Sequence, residues 1–135
     1  MNKYLAAYLA AALVMLLLDL LWLGVVAKPL YQQGIGHLMA DQPRLLPAIV
    51  FYVLYAAGLV VFAVAPRAEA SAWGRSAVMG ALFGFFAYAT YDLSNFATLR
   101  DWPLRLTLVD MVWGTVLSSL SAGAGKAAMT WASKA

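Results

Sequence analysis

Tyr91-Asp92-Leu93-Ser94-Asn95-Phe96-Ala97-Thr98-Leu99-Arg100-Asp101-Trp102-Pro103-Leu104-Arg105-Leu106-Thr107-Leu108-Val109-Asp110-Met111-Val112-Trp113-Gly114 is the stretch that decides the fold. It holds most of the groups that an apolar chain can least easily hide. Asp92 and Asn95 close one apolar segment, and Asp110 lies near the start of the next. Arg100, Asp101 and Arg105 crowd into the short connector between them. A polar corner between two long apolar runs is the signature of helices that cross a bilayer and turn at its surface.

Composition agrees. Of the 135 residues, 64% are hydrophobic and 11% are charged. Soluble domains carry about 45–50% apolar and about 25% charged residues. The chain therefore belongs to the membrane class, and one integral-membrane domain is expected over residues 1–135. The net charge of +3 is spread too thinly for nucleic acid, so no nucleic-acid partner is expected. It suits loops against anionic headgroups. The chain has no cysteine and one histidine, His37. Disulfides, thiolate chemistry, iron–sulfur clusters and cysteine zinc sites are excluded. No cofactor is expected.

Outward from the opening stretch, the pattern predicts an all-α fold, a four-helix transmembrane bundle with helices at about 4–27, 45–65, 72–97 and 104–127. The first run is too long for the apolar region of a secretory signal, and Asp19 interrupts it, so an uncleaved helix is expected. The loop from Lys28 to Pro47 is the longest. It is broken by Pro29, Gly34, Gly36 and Pro43, with a short interfacial helix expected near Tyr31–Ala40. It is long enough to cover something. The second helix carries no ionisable group besides Tyr52 and Tyr55, which suggests a lipid-facing or packing role. Pro66 to Ser71 reads as a turn, and Trp73 as an interfacial anchor. In the third helix Gly80 and Gly84 allow close approach of a neighbouring helix. Tyr88, Asp92 and Asn95 share a face there. In the fourth, Thr107, Asp110, Gly114, Ser118 and Ser121 form a small and polar stripe, with a basic tail after Lys126.

Depth counting connects these features. Asp19 lies ~12 Å from the end of its helix, Asp92 ~8 Å and Asp110 ~9 Å, at 1.5 Å per residue. With alternating crossings the three ends fall on one side, so three carboxylates share one layer. A carboxylate near the bilayer centre costs about 2.5–3.5 kcal/mol on insertion scales. Such groups require partners, protons or water. Arg100 and Arg105 are the nearest cations by sequence and could fold onto Asp92 and Asp110. Trp22, Tyr88, Tyr91, Asn95 and Trp113 could donate hydrogen bonds. The candidate ligand- or proton-binding set is Asp19, Trp22, Tyr91, Asp92, Asn95, Arg100, Asp101, Arg105, Asp110 and Trp113. No catalytic residue is identified. The alternatives are structural glue, with Arg100 or Arg105 neutralising the acids, and tryptophans that anchor at the interface. A carboxylate-only metal site is chemically open but not expected. His37 reads as a solvated loop residue, and no Ser–His–Asp arrangement is credible. Gly34-x-Gly36 lacks the strand and the Gly-Lys-Ser of a phosphate loop.

Tyr91 to Pro103 followed by Val109-Asp110-Met111-Val112-Trp113-Gly114 closely resembles the central motif of a bacterial integral-membrane family catalogued as domain of unknown function 2177. Asp19 with Trp22, and the Tyr31-Gln32 region, also resemble that family's pattern. Ser94, Phe96 and Arg100 depart from it mildly. The resemblance implies a small multi-pass inner-membrane protein of bacteria and supplies no activity. Helix number and length also resemble small multidrug exporters at the level of fold alone.

Three functions fit this reading. The leading one binds or transports a small molecule, ion or lipid at the acidic layer, with the lipid bilayer as surroundings. The second is a non-catalytic membrane subunit or scaffold, using Gly80, Gly84 and the Ser118/Ser121 stripe toward a second copy or another membrane protein. The third is an enzyme acting on a membrane lipid. The basic residues divide five against four: Lys3, Arg67, Arg75, Lys126 and Lys134 on one side, Lys28, Arg44, Arg100 and Arg105 on the other. This favours both termini in the cytoplasm.

Overall fold

A computed structural model describes residues 1–70 and 72–134, and every described element is helical. Five α-helices follow one another: α1 (Lys3–Leu21), α2 (Lys28–Ile35), α3 (Leu45–Leu59), α4 (Gly74–Thr98) and α5 (Leu104–Lys134). Asn2 caps α1 by accepting hydrogen bonds from the backbone N–H of Tyr4 and Leu5, at 2.8 and 3.2 Å. A π-helical turn continues α1 through Trp22–Val26, and another continues α3 through Val60–Val64. With those extensions, Lys3–Val26, Leu45–Arg67 and Leu104–Lys134 are long and apolar enough to cross a membrane. The chain is thus a helical membrane protein. The expectation of four spanning helices is met in three. α4 has the length, with 25 residues, but Asp92, Ser94, Asn95 and three glycines dilute its apolar character. α2 is the short helix expected in the long loop; a 3-10 turn over Gly36–Leu38 follows it. The expected turn reaches Ser71, which lies outside the described residues.

The distribution of side chains is the reverse of a water-soluble protein. Large apolar groups such as Leu13, Leu17, Leu20, Leu46, Leu54, Phe62, Phe86 and Val112 are exposed. Small and polar groups are inside: Ala7, Ala11, Ser76, Gly80, Gly84, Ser118, Ser121 and Ala122. Lipid tails are as apolar as leucine, so burying leucine gives no advantage in a bilayer. Close approach through small residues does, because it brings backbones into van der Waals contact.

The α4–α5 pair shows this most strongly. A Cβ at Gly80 would lie 2.5 Å from the Ala122 Cβ and 2.6 Å from the Ser118 carbonyl oxygen. A Cβ at Gly84 would overlap the Gly114 carbonyl oxygen and the Ser118 side chain, and one at Gly114 would overlap the Tyr88 ring. The small-residue stripe is therefore consumed inside the chain. This corrects its expected use as a surface for a partner.

Contacts between connectors set the direction of each helix. Lys3 faces Glu69 at 3.7 Å, and Lys126 Nζ donates to the Ala68 carbonyl at 3.2 Å. The start of α1, the α3–α4 connector and the later part of α5 thus share one end. His37 faces Asp101 at 3.6 Å, joining the α1–α3 connector to the α4–α5 turn at the other end. Lys126, where the basic tail begins, turns inward. It is 1% exposed, because α5 continues to Lys134 and turns this residue onto the connector.

Gly84→Val is expected to lower the detergent-solubilised melting temperature by several degrees, since overpacking a close contact costs about 1–3 kcal/mol. A Cβ at Gly24 would have no neighbour within 4 Å, so Gly24→Ala is expected to leave the melting temperature unchanged or raise it. A thermal denaturation series on the two variants checks both.

Candidate functional site

Two hydrogen-bonded arms meet beneath α2. In the first, Asp19 accepts from Tyr52 O–H at 2.6 Å and from Trp113 Nε1–H at 2.9 Å. In the second, Trp22 Nε1–H donates to Tyr31 Oη at 3.1 Å, and Tyr31 O–H donates to Asp110 at 2.5 Å. The Trp22 and Trp113 rings join the arms. They stack with centroids 4.4 Å apart and planes 6° from parallel. Helical spacing explains the pairing. Asp19 and Trp22 lie one turn apart on α1, as do Asp110 and Trp113 on α5.

Asp19 is 5% and Asp110 6% exposed. Both line a cavity of about 510 Å³, a volume within the range of small-molecule sites. Its other walls come from every helix: Leu23 of α1, Tyr31 and Ile35 of α2, Phe51, Tyr52 and Tyr55 of α3, and Ala87, Tyr88 and Tyr91 of α4. Trp102 from the α4–α5 turn and Trp113 of α5 complete them. Tyr91 meets Trp102 edge to face at 5.8 Å, and Tyr55 meets Tyr88 likewise at 6.2 Å. Tyr55 Oη also shares a 2.7 Å hydrogen bond with Ser118 Oγ. No Lys, Arg or His side chain is among the lining residues.

Asp92 lies behind this wall. It is 0% exposed, and neither of its carboxyl oxygens has a hydrogen-bond donor. The Asp110 carboxyl is within hydrogen-bonding reach. Two ionised carboxylates offer each other only acceptors, so the contact becomes a hydrogen bond only when one carries a proton. Asn95 is half-buried one turn further on and makes no side-chain hydrogen bond among the described residues.

Arg100, Asp101 and Arg105 are exposed. The described ion pairs are Lys3–Glu69 and His37–Asp101, so neither arginine reaches Asp92 or Asp110. The alternative in which arginine neutralises the acids is thereby corrected: both arginines are exposed and neither pairs with an acid of the layer among the described residues. Trp102 is corrected too. The expected interfacial anchor is 8% exposed and lines the cavity, with its indole N–H buried and without an acceptor. Trp73 remains exposed, as an anchor should be. Among the described residues no three His, Cys, Asp or Glu side chains converge as metal ligands.

The second helix carries more of the site than its plain sequence suggests. Tyr52 and Tyr55 stand at i, i+3 spacing on one face, which was the available signal. Tyr31 was legible only as part of a loop long enough to cover something. Burial, then the charge of Asp110, pushes the Tyr31 phenol upward, so it stays protonated and acts as the donor. α2 sits tightly on α5, because Gly34 brings its backbone against Pro103; a Cβ there would lie 3.2 Å from the Pro103 ring.

Tyr31→Phe is expected to loosen α2 without unfolding the long helices. A hydrogen bond to a charged group contributes about 1.5–3 kcal/mol. Amide hydrogen exchange over residues 28–38 should speed up by at least about tenfold, while α4 and α5 exchange as before.

No curated protein and no solved structure matches the chain. A family model does match, over residues 4–127, and its description is "predicted membrane protein". That match spans the helices, the α2 cover and all the acids of the site, and it makes this chain a member of the DUF2177 family of membrane proteins.

Proposed function

We propose that this chain is a bacterial inner-membrane protein of one domain that binds, and in turnover transports, a small molecule in the cavity between its helices. On this reading α4 is a fourth spanning helix, and both termini face the cytoplasm. The observation that carries the proposal is the cavity itself: two carboxylates, Asp19 and Asp110, face an aromatic chamber that no basic side chain lines. A packing defect would be filled or apolar. A structural ion pair would bring a cation to the acids.

The donors around Asp19 and Asp110 are neutral. They hold each carboxylate in one orientation while leaving its charge uncompensated. Tyr91 lines the chamber directly, Trp22 acts through its stack on Trp113, and Asp92 backs Asp110. Asn95, Arg100, Asp101 and Arg105 stand outside the chamber, and Arg100 and Arg105 suit headgroup contact at the bilayer surface. The scaffold reading loses its proposed surface, because Gly80 and Gly84 are occupied by α5. A lipid-modifying reaction would use such acids beside basic headgroup binders, and no basic side chain is among the described lining residues.

Native mass spectrometry of the protein extracted with its surrounding lipid tests the proposal. A retained small-molecule mass is expected on the natural chain. Ala87→Trp, which fills the chamber, and Asp19→Asn, which removes a charge, should lose it while keeping their helical circular dichroism. Asp92→Asn should weaken retention less, since Asp92 is behind the wall. Equal retention in all four proteins would sink the binding reading.

A further inference from the structure

The cavity's chemistry narrows its occupant. We propose that it takes an organic ammonium ion, with Asp19 and Asp110 as counter-charges and the faces of Tyr88, Tyr91 and Trp102 as the wall around the cationic head. This inference rests on the binding reading above and deepens it.

Three observations lead here. First, Asp19 and Asp110 are almost fully buried yet hydrogen-bonded only to phenol and indole donors. Buried charges are ordinarily paired. The chain brings no cation of its own to this pair, and a cationic ligand supplies the counter-charge. Secondly, most of the residues that line the chamber are aromatic. Ring faces carry negative electrostatic potential and attract ammonium groups within about 6 Å of the centroid, most strongly where water is excluded. An inorganic cation would instead select six or more oxygen ligands, and the lining offers mostly carbon. An anion would meet two carboxylates and no base. Thirdly, Trp102 lines the chamber, and its buried N–H has no acceptor among the described residues. A small turn of the indole would bring that N–H to a ligand oxygen near the ammonium, as in an amino alcohol.

An ammonium group with a neighbouring oxygen occurs in free amino alcohols and in zwitterionic lipid headgroups. The shared chemistry is the ammonium head. The volume of about 510 Å³ admits either a whole small amine or a headgroup entering from the bilayer.

The test is a titration of tryptophan fluorescence and melting temperature in detergent, since Trp102 and Trp113 report on the chamber. Choline is compared with its neutral isostere 3,3-dimethylbutan-1-ol and with butyrate. Short-chain phosphatidylcholine and phosphatidylethanolamine are compared with short-chain phosphatidylglycerol. Choline is expected to bind more tightly than the neutral isostere by on the order of tenfold or more. Asp19→Asn and Asp110→Asn should each erase that preference, and Tyr88→Leu should reduce it. If only the zwitterionic lipids bind, the ammonium reading stands and its source is the headgroup. If choline alone binds, the source is a free amine. Choline and its isostere binding equally would overturn the cation assignment and leave the cavity a neutral-ligand site. Butyrate or phosphatidylglycerol binding best would also overturn it. No binding by any probe, with a retained mass unaffected by Ala87→Trp, would remove the binding reading as well. Circular dichroism and gel filtration of each variant separate loss of preference from loss of fold. If an Asp→Asn variant does not fold, the isostere comparison on the natural chain still decides.

Discussion

Asp19 holds this architecture to a narrow set of arrangements. A carboxylate inside an apolar helix must find donors, and here they come from α3 through Tyr52 and from α5 through Trp113. Three helices are thereby tied at one depth. The stack of Trp22 on Trp113 then carries the constraint to Tyr31, Asp110 and the cover helix α2. Directional bonds of this kind do what hydrophobic burial cannot do in lipid. Between helices surrounded by hydrocarbon, apolar contact favours no rotation over another, whereas a hydrogen bond to a charged group fixes both rotation and depth.

The constraint also explains why the acids are not neutralised by arginine. Arg100 belongs to the turn between α4 and α5 and Arg105 to the first turn of α5, and both are exposed. Pulling either inward would draw a guanidinium out of water and away from the headgroup layer, at a cost that one buried pair often fails to offset. Phenol and indole donors avoid that penalty. They satisfy the oxygens of Asp19 without bringing a cation to it.

Sequence reading reached the depth of this site but not its rotation. The rise per residue and the short connectors put Asp19, Asp92 and Asp110 in one layer, and the structure brings Asp19 and Asp110 to one cavity with Asp92 against Asp110. Which way each side chain faces depends on packing, and a linear pattern carries little of that. Arg100 and Arg105 looked close to the acids because sequence distance ignores the direction of a turn. Trp102 looked interfacial because it adjoins charged residues, yet Pro103 and the start of α5 turn it inward. Tyr52 and Tyr55 stand out as the two ionisable groups of an otherwise apolar helix, but its composition suggests only a lipid-facing or packing role. The basic tail after Lys126 continues the last helix, as its small residues suggest, but nothing in the linear pattern shows Lys126 itself turned onto the α3–α4 connector.

Packing and site are usually separate accounts of a membrane bundle, one of small residues and one of polar groups. In this chain they are the same residues. Gly84 lets α4 lie against the Gly114 backbone, and the missing Cβ of Gly114 leaves the space into which the Tyr88 ring packs. That ring is then a wall of the cavity. The same close approach sets Asp92 against Asp110, one helical turn before Gly114 on α5. A larger side chain at Gly114 would therefore do more than separate two helices. It would drive Tyr88 into the chamber and move Asp92 away from Asp110. The glycines that dilute the apolar character of α4 are the reason it can lie so close against α5.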